Sequence, residues 1–230
     1  MMSDSYSSYT YSDVDTQNMT WIERFCASPE NLYMCEVDEE YIRDAFNLYG
    51  LDSDCPHYKK AISMILGSDE SSSDSDSVDV DTNTLTDTAE YLYGMIHARY
   101  IISLDGLEAM LEKFKSRHFG VCPRVFCHEQ PLLPVGLSDK PNVSGVKLFC
   151  PCCKEVYNPP EELGNIDGAF FGTTFPHMFL LQYPEYLSSP SDSYNPTIFG
   201  YRIHPSSPFY TQSANNKRTE SDCRDRKSVV

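Results

Sequence analysis

The sequence predicts an α+β protein: an all-helical N-terminal domain, then a small β ribbon, then an extended C-terminal segment. Three observations predict it. Apolar residues recur at helical spacing through the first half of the chain. After His118-Phe119-Gly120 that period stops, and proline, glycine and β-forming residues take over. Two close cysteine pairs then mark the ends of one loop, Cys122-Pro-Arg-Val-Phe-Cys127 and Cys150-Pro-Cys-Cys153. The implied division is a disordered tail over 1–19, a helical domain over 20–118 carrying an acidic loop at 68–81, a ribbon over 119–187, and a C-terminal segment with its own polar tail over 188–230.

Order is expected to begin at Trp21-Ile22, whose bulk needs a place to pack. Asp38 is placed to cap a helix in which Tyr41, Ile42, Ala45, Phe46 and Tyr49 form one apolar face, ended by Gly50. A short helix fits Tyr58 to Leu66. The run 68–81 is almost all Ser and Asp and cannot bury enough apolar surface to order itself. Helix resumes at Asp87, with Glu90 three residues on as a capping-box analogue, and carries Ala89, Leu92, Tyr93, Ile96, Tyr100 and Ile101. A further helix from Leu104 to Lys115 should fold back on it as an antiparallel hairpin. His97 has no second ligand at metal spacing and reads as a structural histidine. Val146 to Phe149 alternates as a strand entering a metal knuckle would.

The chain has 230 residues, is 40% hydrophobic and carries a net charge of −16, so it repels nucleic acid and anionic membranes. It has no apolar run long enough to span a bilayer and no signal-peptide layout. The expected compartment is therefore intracellular, where thiols stay reduced. Nine cysteines in a chain of this kind point to metal rather than to a disulfide scaffold. Cys26, Cys35, Cys55 and Cys223 are scattered and read as small hydrophobes or free thiols.

Four thiolates from two close pairs suit tetrahedral zinc. Cys150 with Cys153 keeps a two-residue knuckle spacing, so Cys122, Cys127, Cys150 and Cys153 are the ligands and Cys152 is a spare. A nucleic-acid ribbon would need a denser basic patch than Arg124, Lys140, Lys147 and Lys154 supply. A catalytic zinc would keep an open position, and no HExxH, GxSxG, Walker or kinase-loop motif occurs. A structural Zn2+ that stiffens an interaction surface remains. Val125, Phe126, Val156 and Tyr157 flank the knuckles, and pairing with a second copy would cover them.

Several runs are more specific than this. Cys35-Glu-Val-Asp-Glu-Glu-Tyr-Ile42, Leu92-Tyr-Gly-Met-Ile-His-Ala-Arg-Tyr-Ile101, Leu133-Pro-Val-Gly-Leu-Ser-Asp139, Val146-Lys-Leu-Phe-Cys-Pro151, Asp167-Gly-Ala-Phe-Phe-Gly-Thr173 and Phe175-Pro-His-Met178 resemble the casein kinase II regulatory beta subunits, from about Trp21 to Pro205. The resemblance implies a non-catalytic subunit that dimerises through its zinc ribbon and holds two catalytic kinase subunits in a heterotetramer, in cytoplasm and nucleus. It places the zinc ligands on the same four cysteines. It implies a kinase-docking hairpin at Ile198 to His204, with Phe199 and Tyr201 as anchors and Met178 as a further docking residue. It implies that the acidic loop, here Asp69, Glu70, Asp74, Asp76, Asp79 and Asp81, restrains the kinase and receives polyamines or basic proteins.

The chain also departs from the family pattern. A Tyr/Ser/Asp tail replaces the short Ser-Glu terminus, and Cys152 stands where lysine is usual. The two docking aromatics are exchanged in identity, as in a divergent paralogue. Thr10, Ser12, Ser71 and Ser73 have Asp three residues on and are candidate phosphorylation sites. The alternative reading is a zinc-dependent dimeric adaptor that no longer binds the catalytic subunit.

Overall fold

The computed structural model describes residues 19–53, 55–68, 81–189, 197–204 and 206–207. These fall into two compact units that divide between Ser189 and Pro190. The tail sites Thr10 and Ser12, the loop sites Ser71 and Ser73, and the loop acids Asp69, Glu70, Asp74, Asp76 and Asp79 lie outside the described residues.

Helix α1 spans Trp21–Ala27 and starts with a full capping box. The Thr20 hydroxyl accepts from the Glu23 amide at 3.2 Å, and the Glu23 carboxylate accepts from the Thr20 amide at 2.7 Å. Trp21 and Phe25, one turn apart, stack at 5.0 Å and both meet the Tyr93 ring edge-on.

The next helix is shorter than expected. α2 covers only Glu39–Arg43. Asp38 makes no side-chain cap there; its carboxylate instead accepts from the Tyr100 hydroxyl at 3.0 Å. The chain leaves the helix at Asp44, whose carboxylate takes the Phe46 amide at 2.9 Å in a side-chain turn. Phe46 and Tyr49 are consequently 85% and 84% exposed, not part of an apolar face. This turn outcompetes the helical pattern because Asp favours bonding its own neighbouring backbone over continuing a helix.

α3, Tyr58–Ile65, follows the expected range, and its buried Ala61 and Ile65 pack on α4, Thr82–Tyr100. α4 begins five residues before the expected Asp87, and Asp87 and Glu90 form no cap; both line an open groove with Glu30 and Glu162. The buried side of α4 is Ala89, Leu92, Tyr93, Ile96, His97 and Tyr100. Gly94 lies under the Phe170 ring, which a β-carbon would meet at 2.4 Å.

α5, Leu104–Lys115, matches its expected span and is capped by the Ser103 hydroxyl. It does not fold back along α4 as a hairpin; the close helical neighbour of α4 is α3. Gly106 is pressed on the Tyr100 carbonyl, where a β-carbon would lie 2.0 Å from the oxygen, so the corner between the two helices requires glycine. Phe114 on α5 instead packs on Phe179 and Tyr186, at 5.1 Å from each ring. Phe179 belongs to α6, Phe175–Gln182, which starts with proline in its first turn.

The ribbon is a three-stranded antiparallel sheet in the order β1, Leu133–Val135; β2, Lys147–Phe149; β3, Val156–Tyr157. Leu148 stands opposite Pro134 and Tyr157. The buried apolar residues of helices and ribbon form one continuous cluster, from Ile22 through Phe119 to Phe179. The second unit contains a hairpin of β4, Thr197–Ile198, and β5, Tyr201–Arg202. Among the described residues no helix is long and apolar enough to cross a membrane.

Candidate metal centre

Two knuckles bring the thiols together. In the first, the Cys122 amide donates to the Gln130 carbonyl at 2.8 Å and the Cys127 amide to the Arg124 carbonyl at 3.0 Å. A single 3-10 turn, Val125–Cys127, delivers Cys127, and His128 and Glu129 then take positive φ to reverse the chain. In the second, the Cys150 amide donates to the Glu155 carbonyl at 3.0 Å and the Lys154 amide to the Cys150 carbonyl at 2.9 Å. β1 and β2 set these turns beside each other, since β2 ends where Cys150 begins.

The sulfurs of Cys122, Cys127, Cys150 and Cys153 lie within 4.8 Å of one another. They are the four that spacing selects, and Cys152 is outside the set. The Cys122 and Cys153 sulfurs are 3.8 Å apart. A tetrahedron with metal–sulfur bonds of about 2.3 Å has edges of about 3.8 Å, so this pair already has the separation a zinc ion would impose. The residues present therefore fit a divalent cation with sulfur preference, and four protein ligands leave no open coordination position.

Burial holds the Cys127 and Cys150 thiols above their usual range, each further raised by neighbouring thiols. Burial also opposes ionisation of Cys153, but hydrogen bonds from Tyr157 and the backbone outweigh it and bring that thiol down. A cation bound here would displace the remaining protons.

Tyr157 has a place that spacing did not reveal. Its hydroxyl lies 3.3 Å from the Cys153 sulfur and accepts from the Cys122 thiol at 3.6 Å. Its position four residues after Cys153 is the only trace of this in the sequence. Among the other residues expected on an outer face, Val125 is 82% exposed, Val156 is 47% exposed and Phe126 is half-buried.

His97 is a buried structural residue, as its isolation implied. Its Nδ1 sits 2.7 Å from the Phe170 carbonyl and its Nε2 accepts from the Cys35 amide at 3.1 Å. That pair of contacts requires a neutral ring with the proton on Nδ1. Cys35 and Cys55 are buried, and Cys26 is half-buried against the Tyr93 hydroxyl at 3.3 Å.

The hairpin at 197–202 presents its aromatics to solvent. Phe199 and Gly200 both have positive φ, at 51° and 83°, which makes a type I′ turn between paired Ile198 and Tyr201. Phe199 is 97% exposed and Tyr201 81%. Met178, on α6, is 39% exposed. Of the acidic-loop residues only Asp81 is described, exposed just before α4.

Fold and thiol cluster together define a cysteine-ribbon protein of the α+β class with a helical body. The family model for the casein kinase II regulatory subunit matches residues 20–202. The chain is 47% identical over 187 residues to the putative casein kinase II subunit beta-4 of Arabidopsis thaliana, covering 80% of this chain and 66% of that protein. It is 45% identical over 193 residues to casein kinase II subunit beta' of Drosophila melanogaster, with 83% and 87% covered. It is 46% identical over 201 residues to casein kinase II subunit beta of Schizosaccharomyces pombe, with 86% and 84% covered. The chain belongs to the casein kinase II regulatory (beta) subunit family, and as a regulatory subunit it is not an enzyme.

Proposed function

We propose that this chain binds Zn2+ through Cys122, Cys127, Cys150 and Cys153, dimerises through its ribbon, and holds casein kinase II catalytic subunits in a heterotetramer. The observation that carries the docking part is the hairpin: two aromatic side chains, 97% and 81% exposed, on a two-residue turn. Exposed rigid aromatics are the side chains from which interface hot spots are built. Met178 on α6, 39% exposed, is proposed separately as a further docking residue. Replacing Phe199 and Tyr201 together by Ala should weaken capture of the catalytic subunit by at least about tenfold, since each anchor of this kind contributes on the order of 1–2 kcal/mol. Co-purification at wild-type yield would remove the hairpin from the interface.

Val125 and Val156, exposed on the ribbon, with the half-buried Phe126 and Tyr157, supply the dimer contact. A self-complementary patch is the commonest way two identical chains pair. Metal fixes the knuckles that carry these residues, so Cys122→Ser or Cys150→Ser should yield monomer in sedimentation velocity. An intact dimer in either variant would refute the coupling.

The acidic loop, Asp69 to Asp81, attracts polyamines or basic proteins, and Thr10, Ser12, Ser71 and Ser73 accept phosphate. The proposal puts the assembly in cytoplasm and nucleus, compartments that keep a four-thiolate centre reduced. The exchange of aromatic identity at 199 and 201 favours one second reading, an adaptor that keeps the ribbon but not the kinase. A pull-down with the catalytic subunit separates the two: no retained kinase leaves the adaptor.

A further inference from the structure

Of the four thiols that converge, Cys122, Cys127 and Cys150 are buried and Cys153 is partly exposed. Cys153 is therefore the sulfur that solvent or a competing chelator meets first. The Tyr157 hydroxyl lies against it at 3.3 Å, and accepts from the Cys122 thiol at 3.6 Å. The sheet holds the ring there. Leu148 stands opposite Tyr157 and Phe149 opposite Val156, so strand pairing, and not ligation, positions the hydroxyl.

We propose that this hydroxyl is what retains the metal: Tyr157 donates to the Cys153 thiolate and keeps the one exposed ligand in the set. This rests on the reading of the four cysteines as a Zn2+ centre. A phenol hydroxyl carries one proton and can also accept. Between two thiols it accepts from one and donates to the other, here from Cys122 and to Cys153. Sulfurs that ligate are thiolates and have no proton to give. The hydroxyl then has only its own proton to place, and the nearer sulfur is Cys153. Four thiolates around a divalent cation leave two net negative charges in a largely buried place, and buried charge needs hydrogen-bond donors. A donor to an ionised acceptor forms a bond about twice as strong as a neutral one. That bond also fixes the Cys153 side chain, so its sulfur does not swing out to solvent. Tyr157 is thus a positioning residue, acting on the metal through Cys153.

The test uses the full chain filled with zinc, and Tyr157→Phe, which keeps the ring and removes only the oxygen. Metal content is measured first, and a chromogenic chelator of known affinity then competes for the zinc. The variant should fill to the wild-type content and bind zinc more weakly, by roughly 10–100-fold, as expected for loss of an outer partner of a ligand. A second readout separates the hydrogen bond from general loosening. With Co2+ in place of zinc, the sulfur-to-cobalt charge-transfer band should move to lower energy in the variant, because a thiolate without its donor gives up charge more readily. Equal affinities overturn the proposal. So does weaker binding with an unmoved band, which would make Tyr157 a packing residue only. A variant that cannot be filled at saturating zinc overturns it as well, since the hydroxyl would then build the site and not retain the metal. A wild-type chain that binds no zinc overturns the metal centre itself, and the proposal with it.

Discussion

His97 shows how one buried side chain ties three segments together and makes stability depend on pH. It links α4 to the backbone at Cys35 and at Phe170. Burial is the main cause that lowers its pKa from 6.5 to about 4. The unfolded chain therefore binds a proton more readily than the folded one. The stabilisation is complete above pH 6.5 and is lost progressively as pH falls toward 4. Between pH 7 and pH 5 urea unfolding should lose about 2 kcal/mol from this residue. A His97→Gln variant should be less stable at pH 7 but lack this part of the pH slope; an unchanged slope would contradict the assignment. Gly94 gives a second residue-scale test. Glycine to alanine inside a helix ordinarily stabilises by up to about 1 kcal/mol. At Gly94 the added carbon meets the Phe170 ring at 2.4 Å, so Gly94→Ala should instead lower stability, by roughly 1–3 kcal/mol.

At the scale of elements, local hydrogen bonds decide where helices begin and end. Thr20 and Glu23 satisfy each other's backbone donors at the start of α1, and Thr20→Ala should cost about 1 kcal/mol in thermal or urea unfolding. α2 stops at Arg43 although apolar spacing continues to Tyr49, because the Asp44 side chain captures the Phe46 amide. The β4/β5 hairpin has the opposite character. Its turn puts a phenylalanine in the left-handed region, where a β-carbon is disfavoured. Phe199→Asn or Phe199→Gly would ease the turn while removing the ring. Catalytic-subunit binding should fall with either, even though the turn is more easily formed; retained binding would mean that the turn, and not the ring, is recognised.

At the scale of the molecule, the ribbon does not stand alone. Tyr33 packs edge-on against Phe119 at 5.6 Å, Phe114 meets Phe179, and His97 lies at 5.3 Å from Phe171. Loss of metal should therefore be felt by the helices as well. Chelation by EDTA should lower the midpoint of one cooperative thermal transition followed by far-ultraviolet circular dichroism, since helical signal and ribbon share a core. Two separate transitions, with the helical one unmoved by chelator, would show that the two parts fold independently.

The sequence by itself determined the α+β class, the spans of α3 and α5, and the four cysteines that converge. These follow from short-range rules: helical spacing, caps, and two pairs at knuckle separation. The tertiary structure alone decided the rest. It turned the Tyr157 hydroxyl onto the Cys122 and Cys153 sulfurs and laid α4 on α3 rather than α5. It also joined helices and ribbon through Phe119 and Phe179. Each of these is a contact between residues distant in sequence, or a choice between two faces of one residue. Periodicity carries no information about which of several compatible apolar surfaces will meet; close packing of the whole core settles it.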